Sequence, residues 1–419
     1  MWNKILVYLS CLLFCLILII PYQMQFLKLG LVFILLLPIV LKYIKKDSFL
    51  INRNILTWTY TYVLMGLFYI IYALLKGNPA PMLYFPVYVI WPILFFLLII
   101  QSDNKMYMRL ISCMRIAFTI ISVLGIIAFL EFNISLNAIK EFLMFKSTVR
   151  PGFPFVAIAS GTITNMIFLY VFFWTLYIID RKALKKLDKL NLILGFVFIF
   201  ATSRRVIFLI LMISVIFSAL LIYLLDLKDK KIYIKSLKSF FRTVLFFIVI
   251  IVAIVSYFEL FDFEDIWKFI GSAIGSDSAG IGYDPRLLQA DSLLEGWLEY
   301  PIIGNGTGIN ASVIRSETPG MYELSYMAML FERGLFGTLV YAIQFLLLNY
   351  WTIKSFRNGV LSSNYCIATL VAFDMFMFAN ATNPYLYAFD HLWVIFMVLA
   401  VINLNQKSDE KNMYINKSV

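Results

Sequence analysis

The sequence has few charged residues, few cysteines and a single histidine, and each shortage excludes a class of protein. Charged side chains make up 14% of the chain, against about 25% in soluble domains, which excludes a fold that faces water on all sides. The histidine and the four cysteines form no cluster with metal-ligand spacing, so the sequence predicts no metal site. A Gly-x-Ser-x-Gly turn and a Walker-type phosphate loop are also missing.

Long apolar runs dominate the chain instead. Hydrophobic residues make up 62% of it, against about 45–50% in soluble domains, so lipid is the solvent for most of its surface. Runs close to the roughly 17–25 residues that cross a bilayer predict twelve spans, at 4–22, 26–44, 55–75, 82–100, 110–130, 155–179, 189–203, 205–225, 241–260, 325–350, 361–380 and 386–404. The predicted fold is therefore an all-α polytopic membrane protein.

The positive charges predict the orientation of these spans. The formal net charge is +11, but a basic stripe with interleaved aromatic residues, typical of nucleic-acid binding, is missing. Most of the 35 lysines and arginines fall in short runs in alternate loops between the apolar segments. By the positive-inside rule, both termini are predicted to be cytoplasmic.

One interval, from Asp262 to Gly337, is both long and compatible with water over most of its length. The topology places it on the outer side, before the tenth span. The predicted organisation is spans 1–9 in residues 1–260, a large outward loop with short helices in 261–324, spans 10–12 in 325–404, and a cytoplasmic tail in 405–419.

Two arginines lie at the outer end of a hairpin that has almost no turn. The span that ends at Ser203-Arg204-Arg205 is short, and the next span begins at once. Unpaired guanidinium groups near membrane depth are costly, so such residues are functional candidates, and their planar forks suit a phosphate-bearing ligand. The alternative is that both side chains reach phospholipid head groups, although positive-inside bias keeps the outer side free of such pairs.

Arg286 and Glu323 are further candidates in the outward loop. Arg286 begins a predicted helix with an apolar stripe over 287–298, and a surface ion pair with Asp284 or Asp291 explains it equally well. Glu323 precedes the tenth span. The helix dipole favours a carboxylate there and Ser325 can cap the helix, whereas the functional alternative is a general base that deprotonates a hydroxyl group.

Three other features are predicted to be structural. The three glycines of residues 301–308 predict a tight loop whose backbone approaches the bilayer or a ligand. Glu332 and Arg333 are predicted to form an intrahelical or inter-span pair. His391, beside Asp390, is predicted to be a buried imidazole with satisfied hydrogen bonds.

Several short motifs in residues 150–350, taken together, resemble a known family. They are Thr202-Ser203-Arg204-Arg205, Arg286 with Trp297, Tyr300-Pro301, Gly304-x-Gly306-x-Gly308, Glu323-x-x-Tyr326 and Gly334-x-x-Gly337. This set resembles the O-antigen ligase and polymerase group, multi-span bacterial enzymes that act on undecaprenyl-diphosphate-linked glycans at the outer face of the cytoplasmic membrane. Twelve spans with one large outward loop before the tenth are similar to this group as well.

One departure favours one branch of the group. The ligases usually carry a histidine, often followed by asparagine, where this chain has Glu323-Leu324. The resemblance therefore implies the polymerase (Wzy-like) branch, which builds O-antigen or capsular polysaccharide, and not the ligase that moves glycan onto lipid A core. It implies a GT-C-like glycosyltransferase of the bacterial inner membrane that needs neither a nucleotide sugar nor a metal.

The expected site follows from this chemistry. A departing diphosphate develops negative charge and an acceptor hydroxyl has to lose a proton, so cations and a base are needed. The expected residues are Arg204, Arg205 and Arg286 for the diphosphate, Glu323 and Arg286 for catalysis, and Tyr326, Tyr283 and Asn305 for the glycan. The expected partners are the lipid-linked oligosaccharide, membrane lipid and a chain-length regulator protein.

A polysaccharide flippase or another secondary transporter is the alternative outside this group. Such a protein would also have about twelve spans and basic inner loops. Transporters tend to show repeated halves and ionisable groups near the midplane, and Asp374 is the one obvious mid-span acid in this sequence. A ligase remains the alternative within the group.

Overall fold

A computed structural model describes residues 2–44, 52–100, 103–134, 146–148, 156–225, 234, 238, 285–314, 316, 318–357 and 363–404. In chain order the helices of this part are α1 Trp2–Ile19, α2 Gln25–Ile44, α3 Arg53–Leu75, α4 Trp91–Ile100, α5 Asn104–Ile134, α6 Thr162–Ile179, α7 Lys186–Thr202, α8 Arg205–Leu225, α9 Pro285–Glu299, α10 Ser325–Arg357, α11 Ser363–Asn380 and α12 Trp393–Leu404. Shorter elements are a 3-10 turn at Ala80–Tyr84 and a π turn at Pro86–Ile90 before α4, 3-10 turns at Tyr385–Tyr387 and Phe389–His391, and an antiparallel hairpin of β1 Lys146–Thr148 and β2 Ala157–Ala159.

Six helices of the described part are long and apolar enough to cross a membrane. They are Arg53–Leu75, Ala80–Ile100, Asn104–Asn133, Thr162–Ile179, Val206–Tyr223 and Ser325–Ser355. The prediction of an all-helical, multi-pass membrane protein is thereby confirmed. The count of twelve spans and the proposed domain boundaries stay predictions, because the ninth predicted span (241–260), most of the outward loop and the tail lie outside the described residues.

The centre of the helix bundle is α6. The apolar 18-residue stretch of α6 is 89% buried, far more than the corresponding stretch of any other membrane-length helix described. Helix α6 packs against α11, α8 and α7. Helices such as α3 and α10 bury only 39% of the corresponding stretch and leave their remaining apolar side chains on the outside of the bundle. A helix enclosed by other helices can carry polar groups that lipid would not tolerate, and α6 holds Asn165 completely buried.

Helix α10 is broken near its start, and a loop repairs the break. Gly334 has φ 59° and ψ −171°, so the backbone groups around it lose their partners within the helix. The loop of residues 300–308 supplies four backbone partners: Leu335 N donates to Pro301 O (2.9 Å), Phe336 N to Ile302 O (3.0 Å), Asn305 N to Phe331 O (2.9 Å) and Gly306 N to Glu332 O (2.7 Å). The loop that follows α9 is therefore fixed to α10.

Two facing glycines allow this close approach. A Cβ on Gly334 would lie 2.3 Å from Ile302 O, and a Cβ on Gly304 would lie 2.4 Å from Gly334 N. Both residues also have positive φ, 59° and 81°. The glycines at 304 and 334 thus bring two backbones together, and the expectation that this loop approaches the bilayer or a ligand stays a prediction.

Gly334→Ala is expected to lower the thermal unfolding temperature of the protein in detergent. The new Cβ would clash with Ile302 O, and the left-handed backbone adds strain. Gly30→Ala is the matched control, because a Cβ at Gly30 has nothing within 4 Å. Equal unfolding temperatures for the two variants would show that the close contact between Gly334 and the loop of residues 300–308 does not stabilise the fold.

Candidate functional site

Arg204 lies at a sharp reversal between two apolar helices. Helix α7 ends at Thr202, Ser203 adopts a left-handed conformation (φ 47°, ψ 26°), and α8 begins at Arg205. The Arg204 Nη1 donates a hydrogen bond of 3.1 Å to the Tyr385 hydroxyl. Among the residues that the structure describes, no carboxylate oxygen lies within 4.0 Å of the Arg204 guanidinium.

Arg286 pairs with Glu323. The Arg286 Nε donates to Glu323 Oε2 at 2.9 Å, and the two side chains are 52% and 32% exposed. The sequence left Asp284 and Asp291 as partners for Arg286; the structure adds Glu323 as a partner, and Asp284 lies outside the described residues. An exposed pair of this kind contributes only about 0–1 kcal/mol to stability, so a ligand can compete for either charge at little cost.

Glu323 is held in place by the helix that carries Arg286. The Glu323 N–H donates to Gln289 Oε1 at 3.1 Å, and Gln289 is completely buried in α9. The position agrees with the expected dipole effect, because α10 begins two residues later. The expected capping by Ser325 is wrong: its Oγ is buried and has no hydrogen-bond partner.

Tyr385 connects the two arginines. Burial raises the pKa of the Tyr385 hydroxyl, and the positive charges of Arg204 and, more weakly, Arg286 oppose that rise. Both guanidinium groups therefore act on the same phenol, although they come from different parts of the chain. We call Arg204, Arg286, Glu323 and Tyr385 the rim cluster.

Three buried polar atoms without hydrogen-bond partners flank the rim cluster. They are Ser203 Oγ, Gln289 Nε2 and Ser325 Oγ. Ser203 precedes Arg204, Gln289 binds the Glu323 backbone and Ser325 follows Glu323 by two residues. Buried polar groups nearly always have a partner, and exceptions concentrate where a ligand or water completes the site.

A buried polar network contacts the Tyr385 ring through His391. The Tyr385 and His391 rings meet edge to face, with centroids 6.4 Å apart. His391 Nε2 lies 2.8 Å from the Tyr22 hydroxyl, and Nδ1 lies 2.9 Å from Asn165 Oδ1. Both imidazole nitrogens are thus engaged, and the prediction of a satisfied core imidazole is confirmed.

An ion pair next to this network was not predicted from the sequence. Lys28 Nζ lies 2.7 Å from Asp390 Oδ1, and both side chains are completely buried. The signal was a lysine inside an apolar run, which needs a partner at membrane depth. Tyr385 was also missed, although it lies between the last two apolar runs, where the predicted topology faces outward.

The remaining predicted site residues have other surroundings. The side chain of Arg205 and all of Tyr283 lie outside the described residues. Tyr326 is 37% exposed and its hydroxyl donates to Met377 O at 2.5 Å. Asn305 is buried, and its side-chain amide donates to Gly296 O at 2.7 Å and to Phe331 O at 3.4 Å. These bonds give Asn305 a structural role in the loop, and Asn305 is not proposed as a binding residue.

Glu332 and Arg333 have separate partners, which corrects their expected pairing. Glu332 Oε1 accepts from Gly308 N at 2.8 Å, and Oε2 accepts from the Tyr387 hydroxyl at 2.9 Å. The Arg333 guanidinium lies between two aromatic rings, 4.6 Å from the Tyr88 centroid and 4.0 Å from the Tyr341 centroid. Glu332 thereby joins α10 to the loop of residues 300–308 and to the turn that carries Tyr385.

The rim cluster is suited to bind an anionic ligand next to a hydroxyl group that takes part in a reaction. It combines two guanidinium groups, a carboxylate and a phenol at one end of an apolar bundle. Within the described ranges, no three His, Cys, Asp or Glu side chains come together in a way that could hold a metal ion.

No protein-family model matches this chain, and a comparison with curated proteins finds no match either.

Proposed function

We propose that the chain is a membrane glycosyltransferase that lengthens a polysaccharide. In this reaction a glycan on undecaprenyl diphosphate is transferred to a hydroxyl group of an incoming lipid-linked repeat unit. The observation that carries the proposal is the pair of contacts that hold the two arginines, Arg204 on the Tyr385 hydroxyl and Arg286 on the Glu323 carboxylate. Two cations and a carboxylate at the edge of an apolar bundle match a substrate with a lipid tail, a diphosphate and a sugar.

The arginines would stabilise the leaving group. The bond between the anomeric carbon and the diphosphate oxygen breaks, and its electron pair leaves with the diphosphate. Arg204 and Arg286 place positive charge where this negative charge develops, which is the largest single contribution in many enzymes. Their planar guanidinium groups also match phosphate oxygens better than an ammonium does.

Glu323 would accept the proton of the acceptor hydroxyl as that oxygen attacks the anomeric carbon. In the resting state the carboxylate is paired with Arg286. A bound diphosphate competes for Arg286 and weakens this pair, so a Glu323 oxygen can turn to the acceptor hydroxyl when the donor is present. The pair thus couples donor binding to acceptor activation.

The proposed topology follows the charge distribution. Twelve spans, with both termini in the cytoplasm and the rim cluster at the outer face of a bacterial inner membrane, satisfy the positive-inside rule. The undecaprenyl tail would lie between spans, and the fold would be GT-C-like. A chain-length regulator protein is the proposed protein partner, and no cofactor is required.

Purified protein supplied with a lipid-diphosphate oligosaccharide is expected to produce a ladder of longer glycans on a gel. Glu323→Gln should lower the rate of glycan elongation by about 10²–10⁴-fold. The amide still accepts a hydrogen bond from Arg286 but cannot take a proton. Glu299→Gln, an exposed carboxylate at the end of α9, is the matched control and should keep full activity. The proposal fails if the wild-type protein makes no ladder, or if Glu323→Gln makes a normal one.

Tyr385→Phe is expected to slow the same reaction by about 10–10²-fold. The change removes the hydroxyl that holds the Arg204 side chain, and a hydrogen bond to a charged group contributes about 1.5–3 kcal/mol. Tyr350→Phe serves as the control, since Tyr350 is 59% exposed on α10. Indistinguishable rates for the two variants would show that Tyr385 does not position Arg204.

A further inference from the structure

Helix α9 presents three different faces. Successive residues of a helix are about 100° apart, so Leu287, Leu294 and Leu298 share one stripe. These leucines are 57%, 43% and 61% exposed. Large apolar side chains on one exposed stripe are costly in water and mark an interaction surface.

The second face of α9 is buried against the protein, and the third is acidic. Gln289 and Leu293 are completely or almost completely buried, and Leu293 packs with Tyr322 and Phe331. Glu295 and Glu299 are exposed and lie about 80° and 120° from Leu287 around the helix axis, with the exposed Leu288 between them, whereas Asp291 borders the leucine stripe. A helix with one face on the protein, one apolar stripe and one polar side can lie at a membrane surface, where lipid covers the apolar stripe and water the polar side.

The loop after α9 lies at the level of a membrane-length helix. Pro301 O and Ile302 O accept hydrogen bonds from Leu335 N and Phe336 N of α10, at 2.9 and 3.0 Å. Leu335 and Phe336 are 51% and 52% exposed on a helix that is long and apolar enough to cross a bilayer, and Ile302 is 68% exposed beside them. The exposed apolar surface of α10 is therefore continuous with the loop that ends α9.

A cation marks the level of the lipid head groups. Helix α3, another membrane-length helix, ends at Leu75, and Lys76 follows it. The Lys76 Nζ lies 3.7 Å from the centroid of the Tyr300 ring and 4.6 Å from that of Tyr72. Lysine and tyrosine at the end of a span are typical of the interface between acyl chains and head groups. Tyr300, directly after α9, therefore lies at this interface.

We infer that α9 lies in the surface of the bilayer, with the stripe of Leu287, Leu294 and Leu298 in contact with phospholipid acyl chains. The acidic face then points to water, away from anionic head groups. Arg286 lies between the buried face and the leucine stripe by helical position, at the level of lipid phosphates. This inference concerns the membrane alone and does not depend on the proposed enzymatic reaction.

Fluorescence quenching on the full-length protein in phosphatidylethanolamine–phosphatidylglycerol vesicles tests the inference. The four native cysteines are replaced first, and single cysteines are then labelled with an environment-sensitive fluorophore. Labels at Leu294→Cys and Leu298→Cys are expected to lose fluorescence with doxyl-labelled lipids and to resist aqueous iodide. Labels at Glu295→Cys and Glu299→Cys are expected to show the reverse pattern.

Two reference positions separate the possible failures. A label at Leu339→Cys, 52% exposed on α10, should be quenched by doxyl lipids, and one at Lys182→Cys, exposed in the loop before α7, by iodide. If these two behave as expected while iodide quenches all four α9 labels, α9 lies in water and the inference is wrong. It is equally wrong if doxyl lipids quench the acidic-face labels more than the leucine-face labels.

Discussion

Replacing Arg204 or Arg286 with alanine is expected to stop polysaccharide chain growth while the protein remains in the membrane. Each guanidinium stabilises the departing diphosphate in the proposed reaction, and loss of one such donor costs about 10²–10³ in rate. Arg204 contributes little to packing, because its one side-chain hydrogen bond among the described residues goes to Tyr385. Arg286 is half exposed and its pair with Glu323 adds little stability. Gel analysis of glycan from cells that express each variant, with immunodetection of the protein, gives the measurement.

The matched control is Lys182→Ala, which removes an exposed cation from the loop between α6 and α7. Chain growth should be normal in this variant, because the charge is remote from the rim cluster. Arg205→Ala is expected from the sequence to behave like the other two arginine variants. Long-chain glycan in normal amounts from all three variants would show that these arginines do not stabilise the departing diphosphate.

Glu332→Gln is expected to lower the thermal unfolding temperature by several degrees or prevent accumulation of folded protein. The Glu332 carboxylate accepts hydrogen bonds at both oxygens, from Gly308 N and the Tyr387 hydroxyl. Glutamine has one acceptor oxygen and a donor nitrogen, so it can accept from only one of these two buried donors and the other loses its acceptor. A buried donor without a partner costs about 1–3 kcal/mol, and the adjacent Arg333 also loses a nearby negative charge.

Glu323→Gln provides the comparison within the same segment. Glu323 is about one-third exposed and its partner Arg286 is half exposed, so this variant should unfold at the wild-type temperature although it loses activity. The two carboxylates thus predict opposite outcomes: Glu332 supports the fold and Glu323 supports the reaction. The assignment is wrong if Glu332→Gln is as stable as Glu323→Gln in the same detergent.

The sequence predicted the features that depend on local pattern. The lengths of the apolar runs predicted α1–α8 and α10–α12 approximately. Two starts were wrong, because the run at 155–179 begins with strand β2 and the run at 386–404 with 3-10 turns. The short interval between two runs predicted the reversal at Arg204, and the leucine spacing predicted α9. Each of these predictions uses residues that are neighbours in the chain, where helical periodicity decides which side chains share a face.

The contacts that build the rim cluster could not be predicted in this way. Arg286 and Glu323 are separated by 37 positions, Glu332 and Tyr387 by 55, and Arg204 and Tyr385 by 181. Such pairs depend on how the helices pack, which periodicity does not specify. The break in α10 was missed for a related reason, because Gly334 becomes necessary only when the loop of residues 300–308 lies against it.

Binding of undecaprenyl diphosphate tests the central claim most directly. The measurement compares the wild-type protein with the Arg204→Ala/Arg286→Ala double variant, each purified in the same detergent, and uses uncharged undecaprenol as the reference ligand. The rim cluster predicts that the wild-type protein binds the diphosphate much more tightly than the alcohol, and that the double variant loses this preference. If both proteins bind the diphosphate equally well, the arginines do not hold it, and the proposed reaction loses its physical basis.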